Sequence, residues 1–465
     1  MTNEIEYRHF LFVCIGSMGD VMPSVCLAAG LQKHGHKATI ATYKRYEQLV
    51  LNAGLSYYEL SGDLIDTIMT EKKARQEEFT NPFSGFTKFA SAMEPTIRSL
   101  YHDADNESMW MGKDCVVLSC MSVVLYPDVV KRRIPFVYLG LQPLRPNYSF
   151  SPPLLNQPAF GFHWIFTRGM WFVQDWAIRF MYLSHVNTRL KQFGMMPLPQ
   201  APGQAFFKSK KIPQILTFSP TLLSIVKPED RAKYNDIQVG YFAPPIDTYT
   251  PPDDMANFLN ADGKMKPIYF GFGSMSTAFE HKSEIAQQQL KLWLRVLDGI
   301  AQTYPQVRAF FCLDKTLIQS PELVERIHRG QIYATEKLVP HRWLFPRCLA
   351  AVHHGGAGTS HAALEAGIPS VVVAYVGDQR WNGSLLMHKG ICSAVIRFKD
   401  LAVGALVDAV LGAAFDDVVL DQAKKLGDEV RTREKDAVND ACEFLREYFN
   451  KKPGGHWEDE ASEIF

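Results

Sequence analysis

The segment HFLFVCIGSMGDVMPSVCLAAGLQKHGHKATIAT, residues 9–42, decides the fold class. Its first part, residues 9–16, is an apolar run rich in Phe and Val, which predicts a buried strand. Residues 23–34 follow with apolar side chains spaced three and four apart, which predicts an amphipathic helix. A glycine ends that helix, and residues 36–42 predict a second strand. The order strand, helix, strand is typical of a parallel α/β sheet.

The same alternation continues along the chain on both sides of a proline-rich break. Continuous apolar runs fit parallel strands that are covered by helices on both faces. The break, APPIDTYTPPDD from residue 243, contains four prolines and three acids, which favours an extended linker. The further predicted strands are 115–119, 135–140, 214–218, 267–273, 307–313, 349–353, 370–375 and 392–396.

These patterns predict an α/β protein with two doubly wound Rossmann-like domains that face each other across a cleft. We place the amino-terminal domain at residues 1–242, the linker at 243–256, the second domain at 257–440, and a C-terminal helix and tail at 441–465. Doubly wound sheets bind ligands at the carboxyl ends of their strands, so we expect the site in the cleft.

Composition excludes several classes of function. The chain has 465 residues, of which 47% are hydrophobic, and its 49 basic residues balance its 49 acidic residues. A neutral chain gives no general attraction to nucleic acid. No apolar run reaches the roughly 20 residues of a membrane span, and the first run follows acids rather than a basic start. We therefore expect a cytoplasmic protein whose eight cysteines are reduced.

The segment VHHGGAGTS, residues 352–360, joins a predicted strand to a predicted helix through three glycines. Free N–H groups at a helix start, together with the helix dipole, form an anion site, and the dipole alone contributes ~0.3–2 kcal/mol. His354 can add a hydrogen bond to a phosphate oxygen. No Lys follows the glycines, which disfavours an ATPase loop. The alternative is a tight turn with a hydrogen-bonded histidine, whereas a metal site is disfavoured because adjacent histidines on a strand point to opposite faces.

Two further polar segments follow predicted strands. Asp378 and Gln379 come after the strand at 370–375, where an acid beside an amide suits neighbouring sugar hydroxyls; a solvated turn is the alternative. Asp20 follows the first strand, as either a helix N-cap or a reactive carboxylate facing the cleft. The residues alone leave both pairs of alternatives open.

In their order and spacing these segments resemble the glycosyltransferases of the two-Rossmann-domain (GT-B) type. The resemblance runs along almost the whole chain. It is greatest to the sterol and lipid glucosyltransferases, and the chain is also similar to the glycopeptide-antibiotic glycosyltransferases. The blocks that carry it are GSMGDVMPSVCLAAGLQKHGHKATIAT (16–42), LQPLRPNYSFSPP (141–153), YFGFGSM (269–275), VPHRWLFPRCLAAVHHGGAGTSHAALEAGIP (339–369) and GDQRWNG (377–383).

The resemblance implies a UDP-sugar donor, UDP-glucose, bound by the second domain, and Asp20 as the catalytic base. Asp378 and Gln379 match the pair that holds the sugar hydroxyls in the family. No cofactor or metal is expected, because no Asp-x-Asp motif stands at a donor position. The residues implied on the diphosphate are His354, Gly356, Ala357, Gly358 and Thr359, with Ser274 on its other side, and those along the uracil are Val339, His341 and Trp343.

The chain departs from the plant relatives at the base and the ribose. Leu338 stands where those relatives have a stacking Trp, and His341 where they have Gln. Ala362 stands where they have a ribose-binding Glu, and Glu365 lies three places further on, close to one helical turn.

An aromatic region that begins within the block at 141–153 and continues beyond it is the expected acceptor site. It is represented by Tyr148, Phe150 and Trp171, and we interpret it as an apolar groove for a hydroxylated acceptor such as a sterol. The alternatives are transient contact with a membrane surface and ordinary helix core.

The predicted function is therefore an inverting, metal-independent transfer of glucose from UDP-glucose to an apolar acceptor, without nucleic acid or an obligate protein partner. Alternative acceptors are a hydroxy fatty acid, as in a glycolipid biosurfactant, and a polyketide or glycopeptide aglycone. Two further alternatives are a UDP-sugar epimerase of the same fold and a non-catalytic lipid-binding protein.

Overall fold

The chain forms two compact units, each built on one parallel sheet. The first unit contains the chain up to Leu155, Phe162–Ala243 and the segment from Asp436 onward, and the second contains Asn156–Gly161 and Pro244–Lys435. The computed structural model describes residues 7–63, 82–119, 121–143, 149–155, 157–198, 212–226, 235–244, 249–261, 263–271, 283–313, 315–337, 339–375 and 377–450.

The sheet of the first unit has the strand order β3-β2-β1-β4-β5-β6-β7 among the described residues, and all its pairs are parallel. The first strand pairs with the second on one side and with the fourth on the other, so that the chain reverses its winding direction there. Its strands are β1 (His9–Val13), β2 (Lys37–Tyr43), β3 (Ser56–Leu60), β4 (Cys115–Ser119), β5 (Phe136–Gly140), β6 (Gln214–Thr217) and β7 (Asp236–Val239).

The sheet of the second unit has the order β10-β9-β8-β11-β12-β13 and is also parallel throughout. These two sheets confirm the predicted α/β class with two doubly wound domains. The strands are β8 (Ile268–Gly271), β9 (Ala309–Cys312), β10 (Ile332–Thr335), β11 (Ala351–His353), β12 (Ser370–Ala374) and β13 (Cys392–Arg397).

Helices cover the sheets. In the described part of the chain they are α1 (Met18–Lys33), α2 (Glu47–Asn52), α3 (Pro82–Ala104), α4 (Tyr126–Lys131), α5 (Trp164–Gln192), α6 (Asp253–Leu259), α7 (Ser283–Ala301), α8 (Lys315–Ile318), α9 (Pro321–His328), α10 (His341–Leu344), α11 (Ala357–Ala366), α12 (Gln379–His388), α13 (Val403–Ala414), α14 (Asp417–Arg433) and α15 (Ala437–Asn450).

Helix α15 returns to the first unit, where its apolar face joins the core of that unit. Phe444, Leu445 and Phe449 are buried there, and the helix lies against α1 so closely that a Cβ on Gly30 would come within 2.5 Å of Val438. The chain therefore closes the first unit with residues from both of its ends.

Three helix starts differ from the sequence-based expectation. Helix α1 begins at Met18 instead of residue 23, because Pro23 lies inside the helix and does not start it. Helix α6 begins at Asp253, within the segment predicted as a linker, and α11 begins at Ala357, three residues before the predicted start. None of the described helices combines the length and the apolar composition that a membrane span requires.

Candidate functional site

The turn between β11 and α11 in the second unit requires glycine. Gly355 has φ +86°, in the left-handed region that favours glycine. A Cβ there would lie 2.5 Å from the backbone oxygen of Gln379, so the turn packs tightly against the start of α12. The Gly355 N–H donates to Nδ1 of His353 (3.1 Å), which fixes the entry to the turn.

The start of α11 offers hydrogen bonds that the protein itself leaves unused. Gly356 is the N-cap and supplies no side-chain cap, although the first N–H groups of a helix have no partner within it. Ser360 is fully buried, and its Oγ has no hydrogen-bond partner among the described residues; the same holds for Nδ1 of His354, which is 8% exposed. Buried polar groups without partners are unfavourable, so this arrangement is typical of a ligand site, here for an anion.

The histidines around this turn are held neutral. Burial lowers the pKa of His354 to about 4, with a smaller contribution from neighbouring His341. Burial likewise lowers the pKa of His341 and that of His361 to about 4. Over the described ranges, no three His, Cys, Asp or Glu side chains are grouped as ligands of one metal ion would be. At neutral pH His354 therefore acts through hydrogen bonding and not through positive charge.

Gly356 also sets the position of the His354 ring. A Cβ on Gly356 would lie 2.3 Å from Nε2 of His354. The glycine is needed here for space and not for backbone freedom, because its φ of −62° and ψ of 147° suit any residue.

The predicted sugar-binding pair lies at the start of α12 and is tied to the glycine turn by Asn382. Nδ2 of Asn382 donates to Oδ2 of Asp378 (2.8 Å) and to the Gly355 carbonyl (2.9 Å). Gln379 is buried, and its Oε1 accepts from the Tyr375 N–H (2.7 Å), which fixes the position of its amide group. Sequence reasoning assigned no role to Asn382; the signal was its i, i+4 spacing from Asp378, which puts both on one helix face.

The predicted uracil-binding residues lie on and before α10. Val339 is buried, and His341 is partly exposed with its Nε2 3.3 Å from the hydroxyl of Tyr269. The Trp343 ring packs edge-on against Tyr249 at 5.1 Å, and the guanidinium of Arg347 lies over it. The ring of Trp343 therefore already contacts two other side chains of the protein.

The carboxylate of Glu365 also has a protein partner. It accepts a hydrogen bond from Nε of Arg342 at 3.0 Å and pairs with Nη2 of the same guanidinium. The carboxylate that lies one turn after the family's ribose-binding position is therefore half of an ion pair. Leu338 and Ser274, the other residues of the donor prediction, lie outside the described residues.

Asp20 lies in the first unit, in the first turn of α1 and not at its N-cap. Its Oδ2 accepts from the N–H (2.7 Å) and the Oγ–H (2.9 Å) of Ser17, the N-cap residue. Gly16 has φ +124°, and a Cβ on it would lie 2.5 Å from that same oxygen. The hydroxyl of Tyr46 donates to the Gly16 carbonyl (3.1 Å) and anchors the loop.

Burial raises the pKa of Asp20 above its usual value, although the two donors from Ser17 act in the opposite direction. The side chain retains partial exposure to solvent. A partly exposed carboxylate with a raised pKa is a stronger base than an ordinary aspartate, and this combination is frequent at functional sites.

The predicted acceptor region is described only in part. Phe150 and Trp171 are 2% and 1% exposed, and Nε1 of Trp171 donates to the Phe150 carbonyl at 2.8 Å. These two residues pack the start of α5 against the rest of the first unit. An acceptor could contact them only if their packing opened. Tyr148 lies outside the described residues.

Each of the two units is built on a parallel, doubly wound sheet. Comparison with known proteins identifies this architecture as the GT-B fold. The Streptomyces sp. SF2575 glycosyltransferase SsfS6, solved in complex with thymidine diphosphate, superposes with a TM-score of 0.62 at 17% identity, over 95% of this chain and 100% of that chain.

Family models match both units. Residues 10–114 match the glycosyltransferase family 28 N-terminal domain, and residues 330–439 match the C-terminal domain of the erythromycin biosynthesis protein CIII-like family. The first match contains Asp20, and the second contains His354 and Asp378.

The chain is homologous to the sterol 3-beta-glucosyltransferases. It is 28% identical to UGT80A2 of Arabidopsis thaliana over 91% of this chain and 63% of that protein. It is 26% identical to UGT80B1 of the same plant over 89% of this chain and 65% of that protein. The chain thus spans somewhat under two thirds of the length of these curated relatives.

Proposed function

We propose that this protein is an inverting glycosyltransferase that moves glucose from UDP-glucose to a hydroxyl of an apolar acceptor such as a sterol. The observation that carries the proposal is the uncapped start of α11, beside which Ser360 Oγ and His354 Nδ1 are buried without partners. A diphosphate supplies acceptors for all of these groups. The glucosyltransferase activity of the relatives and the thymidine diphosphate bound to SsfS6 support a nucleotide-sugar donor.

In the proposed reaction the acceptor hydroxyl attacks the anomeric carbon from the face opposite UDP. The new carbon–oxygen bond forms as the bond to the β-phosphate oxygen breaks, which inverts the configuration. Asp20 takes the hydroxyl proton, and its raised pKa makes it a better base for this step. The electron pair leaves with UDP, whose developing charge is stabilised by the α11 N–H groups and by neutral His354.

The sugar is held by Asp378 and by the amide of Gln379. Asp378 accepts from Asn382, and this bond orients the carboxylate toward one rotamer. A carboxylate has several lone pairs and can accept from more than one donor at once, which suits neighbouring sugar hydroxyls. The diphosphate residues Gly356, Ala357, Gly358 and Thr359 act through backbone N–H groups, while Val339, His341 and Trp343 lie along the uracil.

A product screen tests the proposal. The full chain would be incubated with UDP-glucose and, separately, with sterols, hydroxy fatty acids and polyketide aglycones, and the products would be identified by mass spectrometry. We expect a hexose adduct on the sterol set. An adduct on another set would change the acceptor class, whereas UDP release without an adduct, or UDP-sugar epimerisation, would contradict the proposal.

The transfer should not require a divalent metal, because the leaving-group charge is assigned to hydrogen bonds and a helix dipole. We expect the rate of product formation to be unchanged by excess EDTA after gel filtration. A loss of activity that Mg²⁺ or Mn²⁺ restores would contradict this assignment.

Ser17 should tune the pH dependence of the reaction. The Ser17 hydroxyl bonds to the ionised form of Asp20 and lowers its pKa. In Ser17→Ala the pKa of Asp20 should rise further, so the acidic limb of the kcat/KM profile should move to higher pH while the alkaline limb stays in place. Ser17→Thr keeps the hydroxyl and is the matched control; an acidic limb that stays unmoved in Ser17→Ala would show that Asp20 is not the titrating base.

A further inference from the structure

Helix α5 exposes a row of large apolar side chains, although its buried side contains polar residues as well as apolar ones such as Trp171 and Ala177. Gln174 and Asp175 are 1% and 6% exposed, whereas Phe172 and Trp176 are 69% and 51% exposed. In a surface helix of a globular protein the apolar residues face the core instead. Contact with another apolar surface would therefore remove these exposed side chains from water.

The exposed residues form one continuous stripe. Ile165, Phe172, Val173 and Trp176 stand at positions i, i+7, i+8 and i+11 of the helix and are all exposed. We call these four residues the aromatic face. At 1.5 Å per residue the face is about 17 Å long. The helix start extends it with two further exposed side chains, Trp164 and Phe166.

The charges along the stripe are positive. Arg168 and Arg179 share the spacing of the aromatic face, and Arg168 is exposed. The only acid in the sequence of α5, Asp175, follows Arg168 by seven residues and is buried, so the exposed surface of the stripe has no carboxylate from this helix. A face with Trp, Phe and Arg and without a carboxylate is complementary to the anionic surface of a lipid bilayer, where Trp and Phe insert at the headgroup boundary.

We propose that the aromatic face of α5 docks on an anionic membrane surface, with the helix lying in the plane of the interface. Phe172 and Trp176 insert among the acyl chains, and Arg168 and Arg179 contact lipid phosphates. The proposal rests on the surface of α5 and not on the transferase activity. Where both hold, docking brings the first unit to the phase in which sterols are dissolved.

Vesicle flotation of the full chain tests the docking. We expect the chain to bind vesicles of phosphatidylcholine with phosphatidylserine, and to bind more weakly when phosphatidylserine is omitted or salt is raised. Phe172→Ser/Trp176→Ser should weaken partitioning by at least about tenfold, since two large apolar side chains would no longer be buried in the bilayer. The matched control, Met196→Ser/Val418→Ser, alters two side chains that are also highly exposed, at 68% and 77%, but lie outside the aromatic face.

Three outcomes would overturn the proposal. In the first, the wild-type chain does not float with any of the vesicles. In the second, the aromatic-face variant binds vesicles as well as the control variant does. In the third, gel filtration shows that the wild type is a dimer and the aromatic-face variant a monomer, which would assign the face to contact with a second copy of the chain. Thermal unfolding by circular dichroism identifies a misfolded variant, and quenching of tryptophan fluorescence by brominated lipid in the wild type supplies a measurement that needs no variant.

Discussion

Asp20→Asn should lower kcat about 10²–10⁴-fold, the usual contribution of a general base, and leave the Kd for UDP-glucose unchanged. Asn keeps an oxygen that can accept from Ser17, as Asp20 does now, but it cannot take the acceptor proton. The measurement is kcat at saturating donor, beside calorimetric titration with UDP-glucose. If the Kd for UDP-glucose rises while kcat stays normal, Asp20 contributes to donor binding and is not the catalytic base.

The first unit contains a matched control for this substitution. Asp103 is buried and accepts from the N–H (2.7 Å) and the Oγ–H (2.6 Å) of Ser61, the same pair of donors that Asp20 has. Asp103→Asn removes an equivalent charge from an equivalent hydrogen-bond pair. We expect it to lower the melting temperature and to preserve kcat, so that a loss of activity in Asp20→Asn cannot be attributed to folding.

The central strands were predictable from the sequence, whereas of the four edge strands only β13 was predicted. All eight strands that followed the first pair in the prediction are present. Seven of them have neighbours on both sides, and a strand in that position with helices on both faces has a continuous apolar sequence. The three strands that the sequence analysis missed, β3, β7 and β10, are all at sheet edges. Their sequences SYYEL, DIQV and IYAT mix polar and apolar residues, as strands with a single neighbour permit.

The site was predictable in its residue types and not in its internal hydrogen bonds. The glycine-rich turn between a strand and a helix is present where the sequence predicted it, and its role as an anion site stays a prediction. The role of Asn382 as a bridge between Asp378 and Gly355 depends on the contact between two helix starts that are over twenty residues apart. Likewise, no local sequence pattern predicts the ion pair between Arg342 and Glu365.

Exposure on α5 was also beyond the sequence. The aromatic density of the segment predicted an apolar region, but Trp171 and Phe172 are adjacent and differ from 1% to 69% in exposure. Which side of the helix faces the core is set by packing against α3 and α4, and the exposed aromatic residues depart from the usual rule for a surface helix.

Gly356→Ala should weaken UDP-glucose binding about 10–100-fold, because a hydrogen bond to a charged group contributes about 1.5–3 kcal/mol. The backbone of Gly356 tolerates alanine, so the effect comes from the methyl group, which would lie 2.3 Å from Nε2 of His354 and displace the ring. His354→Ala should weaken binding by a similar factor. The measurement is the Kd for UDP and for UDP-glucose by calorimetry.

The double variant Gly356→Ala/His354→Ala shows whether the methyl group weakens binding by displacing the His354 ring or by acting on the ligand directly. If it acts through the ring, the double variant binds no more weakly than His354→Ala alone, since neighbouring substitutions that remove one interaction are not additive. Gly404→Ala is the control, because a Cβ there meets no atom within 4 Å, and it should bind UDP as the wild type does. Unchanged affinity in both single variants would mean that the start of α11 does not hold the diphosphate, and the proposed donor site would then be wrong.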